Sequence, residues 1–200
     1  NYQSYHFDKS SRAAIMYTNN ILAWPVPAIS NQDVAAVLWF QGPDTPRTLV
    51  LSIYCDIEKD FSHILPAISF AQSHNYEILI CSDTNSHSQL WGYEESNSRG
   101  EAFEELILSN SLTVINTDST PTWHRGESAS TIDIALCSSS LEPQIKDWKV
   151  LNKFTSDNSA LHFSLTSPTK EGVQNLTHMD WDKFSSGLPL PPPERPSYSN

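Results

Sequence analysis

Ile78-Leu79-Ile80-Cys81-Ser82-Asp83-Thr84-Asn85-Ser86-His87 runs from four apolar residues into a polar loop that holds a carboxylate and an amide two positions apart. An unbroken apolar run of this length, bounded by turn-forming residues, reads as a buried strand. The end of a buried strand is where a rigid scaffold presents reactive groups. In extended geometry residues i and i+2 point the same way, so Asp83 and Asn85 would share a face: one to orient a water, the other to donate a hydrogen bond to a phosphate oxygen. The plainer alternative is an Asx turn, which these residue types favour.

On either side of it, apolar runs of strand type recur at Arg12 to Thr18, Asp33 to Phe40, Arg47 to Tyr54, Tyr76 to Cys81, Leu112 to Ile115, Thr131 to Cys137, Trp148 to Leu151 and Ala160 to Leu165. Two stretches have helical spacing: Glu58 to Ser73, where Phe61, Ile64, Leu65 and Ile68 form a stripe, and Arg99 to Ser109, with Phe103, Leu106, Ile107 and Leu108. Pro66 should kink the first helix or delay its start, and Asn110 is a plausible stop for the second. Strands outnumber helices and do not alternate strictly with them. A doubly wound parallel sheet therefore fits poorly, and a layered α+β sandwich with flanking helices fits well.

Composition sets further bounds. Two hundred residues with 38% apolar content suit one domain with a sizeable core. Three cysteines, Cys55, Cys81 and Cys137, leave no complete disulfide framework and read as reduced thiols of an intracellular protein. No apolar stretch approaches the roughly 18 residues of a membrane span. A formal net charge of −11 opposes counterion-driven binding of a phosphate backbone. It still permits an enzyme that meets nucleic acid through a local metal-bearing cleft, because a divalent ion reverses the field where it sits. The tail Pro189 to Pro196 has the composition of a polyproline-like linker, and Met179 to Phe184 has the pattern of a short helix. Residues 1–167 are thus expected to form the domain and 168–200 a linker.

Two further acid positions stand at strand boundaries. Asp133 interrupts the β-branched run Ser130-Thr131-Ile132-Asp133-Ile134-Ala135-Leu136, where it is either a half-buried acid in need of a partner or an outward-facing residue. Ser156-Asp157-Asn158-Ser159 precedes the last strand and by itself reads as a turn. Three such junctions in one β-rich chain suggest an oxygen-lined divalent-metal site, since Mg²⁺ accepts one or two carboxylates plus water and substrate phosphate.

Taken in order, Ser82-Asp83-Thr84-Asn85-Ser86-His87-Ser88-Gln89-Leu90-Trp91-Gly92, Asn97-Ser98-Arg99-Gly100, Pro121-Thr122, Ser130-Thr131-Ile132-Asp133 and Ser156-Asp157 resemble the endonuclease/exonuclease/phosphatase superfamily. Within it they look most like the apurinic-type endonuclease domain of non-LTR retrotransposons. The resemblance implies a four-layer, DNase I-like β-sandwich and an Mg²⁺-dependent (or Mn²⁺-dependent) cleavage of DNA that leaves a 3′-hydroxyl. It also implies a reverse-transcriptase domain downstream in cis and action in the nucleus. Carried over position by position, Asp83 would align and deprotonate the attacking water, Asn85 would hold the phosphate, and Tyr54 would lie near it. Asp157 would help bind the metal. Thr131 and Arg99 would lie on the substrate side, although Arg99 also reads as a support for the loop after Asn97. Asp133 would orient a histidine that follows the last catalytic aspartate.

Here that position is Asn158, and a neutral amide stabilises phosphoryl charge less well than an imidazolium. His162 lies four residues further on, about 13 Å at roughly 3.3 Å per residue, and is expected to pack or face solvent. The family also supplies an Asn and a metal-binding Glu from strands before the point where this chain starts. An N-terminally truncated and impaired copy is therefore expected, with an uncovered sheet edge. The alternatives are a catalytically dead remnant or binding module, or a phosphodiesterase or phosphatase for a non-DNA substrate.

Overall fold

The computed structural model describes residues 2–42, 45–151 and 157–166, and the backbone of 173–177. Among them a six-stranded sheet has the order β3-β4-β5-β6-β10-β7. Its members are β3 (Leu22–Pro25), β4 (Val34–Phe40), β5 (Thr48–Tyr54), β6 (Glu77–Asp83), β7 (Leu112–Val114) and β10 (Asp133–Ser138). Strands β5 and β6 run parallel, and the other neighbours are antiparallel. A second sheet joins β11 (Ile145–Leu151), β12 (Ala160–Thr166) and β13 (Val173–Thr177), all antiparallel. Two hairpins stand apart: β1 (Tyr2–Tyr5) with β2 (Ile15–Thr18), and β8 (Trp123–Arg125) with β9 (Ser128–Ser130).

The period-2 rule of a strand sorts the large sheet's residues onto two faces. Leu49, Leu51, Ile53, Ile78, Ile80, Ile134 and Leu136 pack in one cluster with Phe103, Leu106 and Ile107 of helix α2 (Ser98–Ser109) and with Ala67, Ile68 and Ala71 of helix α1 (Leu65–Ser73). Leu79, Ala135 and Cys137 point the other way and meet Leu161, Phe163 and Leu165 of β12. The result is helices on sheet on sheet, the expected α+β sandwich, and the described residues supply three of its layers. No helix among them is long and apolar enough to cross a membrane.

Several expected boundaries move, each for a local reason. Helix α1 starts at Leu65 rather than Glu58, after a short 3-10 turn at Ser62–Ile64, because Pro66 is accepted only in a first turn. Helix α2 is capped by Asn97, whose Oδ1 accepts from the Gly100 N–H at 2.7 Å, and Asn110 stands at its C-cap as expected. Arg12 precedes β2 instead of opening it, since its backbone N–H donates to Gln32 O. The polar start of the chain, in which no element was anticipated, contains β1. The free edge of β12 is taken by β13, which lies beyond position 167. The helix expected at Met179 to Phe184 lies outside the described residues.

Candidate active site at the rim of the two sheets

β5 and β6 end together, and in the sheet register Tyr54 pairs with Asp83, which pairs in turn with Asp133 at the start of β10. Three chemically active side chains therefore stand in one row across three strands. Their parity puts them on the face turned toward the second sheet. The next row on that face is Ser52, Cys81 and Ala135, and the one below it is Val50, Leu79 and Cys137. Polarity thus fades within two rows from a charged rim to a dry core.

Asp133 is 3% exposed. Its backbone N–H donates to Thr122 Oγ1 at 3.1 Å and its carbonyl accepts from Asn116 Nδ2 at 3.1 Å, but its Oδ2 is buried with no hydrogen-bond donor among the described residues. Burial pushes this carboxyl up to about 7, while a hydrogen bond from the Thr122 side chain pulls the other way. Two carboxylates in opposed positions cannot both ionise without cost, so the row is built to hold a proton or a cation. Burial, then the charge of Asp83, raises the Tyr54 phenol. Burial also pushes the Cys81 thiol up to about 12, so this neighbour is no nucleophile.

The strand leading into β12 is spliced onto this corner through Thr122 to His124. Thr122 O accepts from the Ser159 N–H at 2.6 Å, Trp123 forms a β-bridge with Asn158, and the His124 N–H donates to Asp157 O at 2.7 Å. Asn158 is half-buried there and Asp157 exposed. Thr122 consequently ties Asp133 and the Asn158 segment together, a role that the sequence reading did not assign to it.

Asn85 adopts φ 48°, so the extended i, i+2 geometry expected from Asp83 stops at the strand end. Asn tolerates the left-handed region better than most residues. Its Nδ2 donates to Cys55 O at 3.3 Å, joining the loops that follow β5 and β6.

Two residues expected on the substrate side are occupied otherwise. Arg99 turns its guanidinium inward: Nε donates to Thr84 O at 3.0 Å, one terminal nitrogen to Lys59 O at 2.6 Å, and the other to Asp56 O at 2.9 Å and Cys55 O at 3.2 Å. Its face also lies 4.5 Å from the Phe61 ring centroid. Arg99 is thus a brace between the two loops that carry the site. Thr131 is 4% exposed, and its hydroxyl donates to Ser119 O at 3.2 Å while its N–H donates to Tyr93 Oη at 2.7 Å. The physical reason in both cases is a set of loop carbonyls that strand pairing leaves unsatisfied.

His87 stacks on Tyr93 with centroids 4.1 Å apart at 10°. Trp91 is core, with its indole N–H donating to Ser86 O. His162 sits on β12 between Lys149 and Thr177, opposite in parity to the inward-facing Leu161 and Phe163. It is therefore turned away from the row Tyr54–Asp83–Asp133.

A cluster missed by the sequence reading lies beside the row. Asp33, 5% exposed, accepts from Arg12 Nε at 2.6 Å and Nη2 at 2.8 Å and from Lys59 Nζ at 3.1 Å. Asp56 accepts from Arg12 Nη1 at 2.7 Å. An acid at the start of an apolar run and a lone arginine were the only signals for it.

As for a metal, the donors at the corner are hard oxygens, the kind that Mg²⁺ prefers, and one of them, the buried Asp133 Oδ2, has no hydrogen-bond partner among the described residues. No group of three or more His, Cys, Asp or Glu among the described residues could hold an ion by itself. The chemistry of the donors fits, and their number allows only a site completed by water or phosphate.

The architecture matches that of several solved structures. The endonuclease domain of TRAS1, a telomere-specific non-LTR retrotransposon, is 18% identical, with 84% of this chain and 81% of that chain covered, at a TM-score of 0.72. An endonuclease/exonuclease/phosphatase family protein from Leptotrichia buccalis is 12% identical over 84% and 72% of the chains, at 0.57. The catalytic domain of human Nocturnin with bound sulfate is 13% identical over 82% and 73%, at 0.52. Comparison with curated proteins finds no match. The fold is that of the endonuclease/exonuclease/phosphatase superfamily, as the ordered motifs implied. More narrowly, residues 48–162 match the family described as endonuclease-reverse transcriptase, and the chain belongs to that family.

Proposed function

We propose that this protein is a Mg²⁺-dependent (or Mn²⁺-dependent) DNA endonuclease domain of a retrotransposon polyprotein, impaired at one position of its site. The observation that carries the reading is the register row Tyr54–Asp83–Asp133, with the Asp157-Asn158 segment tied to its end. Asp83 accepts a proton from the attacking water and aligns it on the scissile phosphate; as the new P–O bond forms the P–O3′ bond breaks, and the departing 3′ oxygen takes a proton from solvent. Asn85 and Tyr54 donate to the phosphoryl oxygens. Asp157 would hold the cation, which when bound neutralises charge on the phosphate. Asp133, forced toward its neutral form by burial, keeps the corner from accumulating negative charge against that phosphate. The product, a nicked strand with a 3′-hydroxyl, would prime a polymerase carried in cis.

Asn158 stands where the superfamily resemblance calls for a histidine, and it favours a second reading: the same fold with little or no turnover. Losing a charged donor of that kind costs on the order of 10²–10³ in rate. Nicking of supercoiled plasmid with Mg²⁺, with and without EDTA, tests the first reading, and absence of EDTA-sensitive nicking sinks it. Asn158→His is expected to raise nicking by roughly 10²-fold. A variant no faster than an already active parent would remove the impairment.

A further inference from the structure

Tyr54 is held from three sides by groups whose side chains do not belong to the row. Its backbone N–H donates to Asp33 O at 2.9 Å. Its ring face is covered by Arg12, whose guanidinium carbon lies 4.5 Å from the ring centroid. That guanidinium cannot drift, because it makes a two-point fork with Asp33 at 2.6 and 2.8 Å and a third bond to Asp56 at 2.7 Å. Asp56 lies two residues beyond Tyr54, so the fork also ties down the loop by which the chain leaves β5. Lys59 adds a second cation on Asp33 at 3.1 Å. The side-chain exposures are 8% for Asp33 and 31% for Arg12. At such depth a planar, bidentate cation on a ring resists displacement much more than an exposed pair would.

We propose that Arg12 is a positioning residue of the site: locked by Asp33 and Asp56, it fixes the Tyr54 ring beside Asp83 so that the phenol meets a phosphoryl oxygen without rearrangement. The proposal rests on the nuclease reading for its kinetic consequence and on the geometry alone for its structural one. Only an arginine supplies fork, stacking face and permanent charge together; lysine keeps the charge and loses the rest. The charged groups facing Tyr54 are Arg12, Asp83, Asp56 and Asp33, and of these only Arg12 favours the ionised phenol.

A double-mutant cycle on the full chain tests this. Arg12→Gln is expected to slow kcat for nicking about ten-fold with little change in KM, Arg12→Lys to recover only part of the loss, and Arg12→Gln to cost almost nothing further in a Tyr54→Phe background. If the two penalties multiply, Arg12 acts through the fold and not through Tyr54, and the proposal falls. A second readout needs no turnover. With ¹³Cζ-labelled tyrosine, the Tyr54 resonance is identified by its loss in Tyr54→Phe. It should shift in Arg12→Gln and in Arg12→Lys, and its titration should move upward in Arg12→Gln. An unmoved resonance in a folded variant overturns the proposal even if the parent nicks DNA. If the parent does not nick at all, the nuclease reading fails and this spectroscopic result alone decides the role of Arg12.

Discussion

Replacing Asp133 by asparagine should make the protein more stable at pH 8 while leaving its stability near pH 4 almost unchanged. The wild-type carboxyl is 3% exposed, faces Asp83 across the strands, and has an Oδ2 with no hydrogen-bond donor among the described residues. Burial raises it from an ordinary value of 3.8 to about 7. The folded state therefore binds this proton more tightly than the unfolded state does. Stability from this group is complete below about pH 4, falls as pH rises between about 4 and 7, and is flat above. A difference of about 3 pK units at about 1.4 kcal/mol each puts the cost of the ionised acid at up to about 4 kcal/mol. Asparagine has the same shape, carries no charge and brings an amide that can donate toward Asp83. Thermal melts of both proteins in EDTA from pH 4 to pH 8 provide the assay. One kcal/mol corresponds to roughly 2–4 °C for a domain of this size, so a gain of several degrees is expected at pH 8 and nearly none at pH 4. A variant that melts at or below the wild type at pH 8, or a gap that does not change with pH, would show that Asp133 carries no buried-charge cost.

Two predictions concern the scaffold. Arg99→Ala removes every bond between the guanidinium and the carbonyls of Cys55, Asp56, Lys59 and Thr84, and should cost roughly 2–4 kcal/mol in urea denaturation, with Arg99→Lys recovering less than half. If Arg99 instead serves mainly in DNA contact, the alanine variant will lose DNA affinity with its stability intact. Gly100→Ala would put a Cβ 1.8 Å from the His87 carbonyl oxygen, a backbone atom that cannot rotate away. A loss of about 1–3 kcal/mol is expected, together with a displaced His87–Tyr93 stack visible in their ring resonances, and a neutral substitution would show that the helix start lies farther from the loop.

The sandwich was legible in the order of residues, because its signal is local. Apolar runs of period 2 set which face of each strand is buried, and Phe103, Leu106 and Ile107 at helical spacing set which side of α2 meets the sheet, whereas Leu65 and Leu108, expected in the same stripes, are exposed. The strand-end position of Asp83 was legible too, but Asp133 and Asp157 stood out only in combination, since each by itself also reads as an outward-facing residue or a turn. Other features were not legible locally. Short β3, β8 and β9 carry too few residues to show a period, and Pro66 shifted a helix start that the stripe alone placed earlier.

Which of the candidate residues stand together depends on long-range strand pairing. Register, which depends on how whole strands pair, puts Tyr54, Asp83 and Asp133 in one row although up to 79 positions separate them in the chain. Arg99 and Thr131 have polar side chains near the site in sequence, yet loop carbonyls without strand partners claim them from within. Arg12 and Asp33 showed no motif at all, and the 21 positions from one to the other hide a fork that exists only once β4 and β5 pair and leave Asp33 beside Tyr54. Patterning of one segment can reveal which residues must be buried, but the partner that a buried charge finds depends on segments far away in the chain.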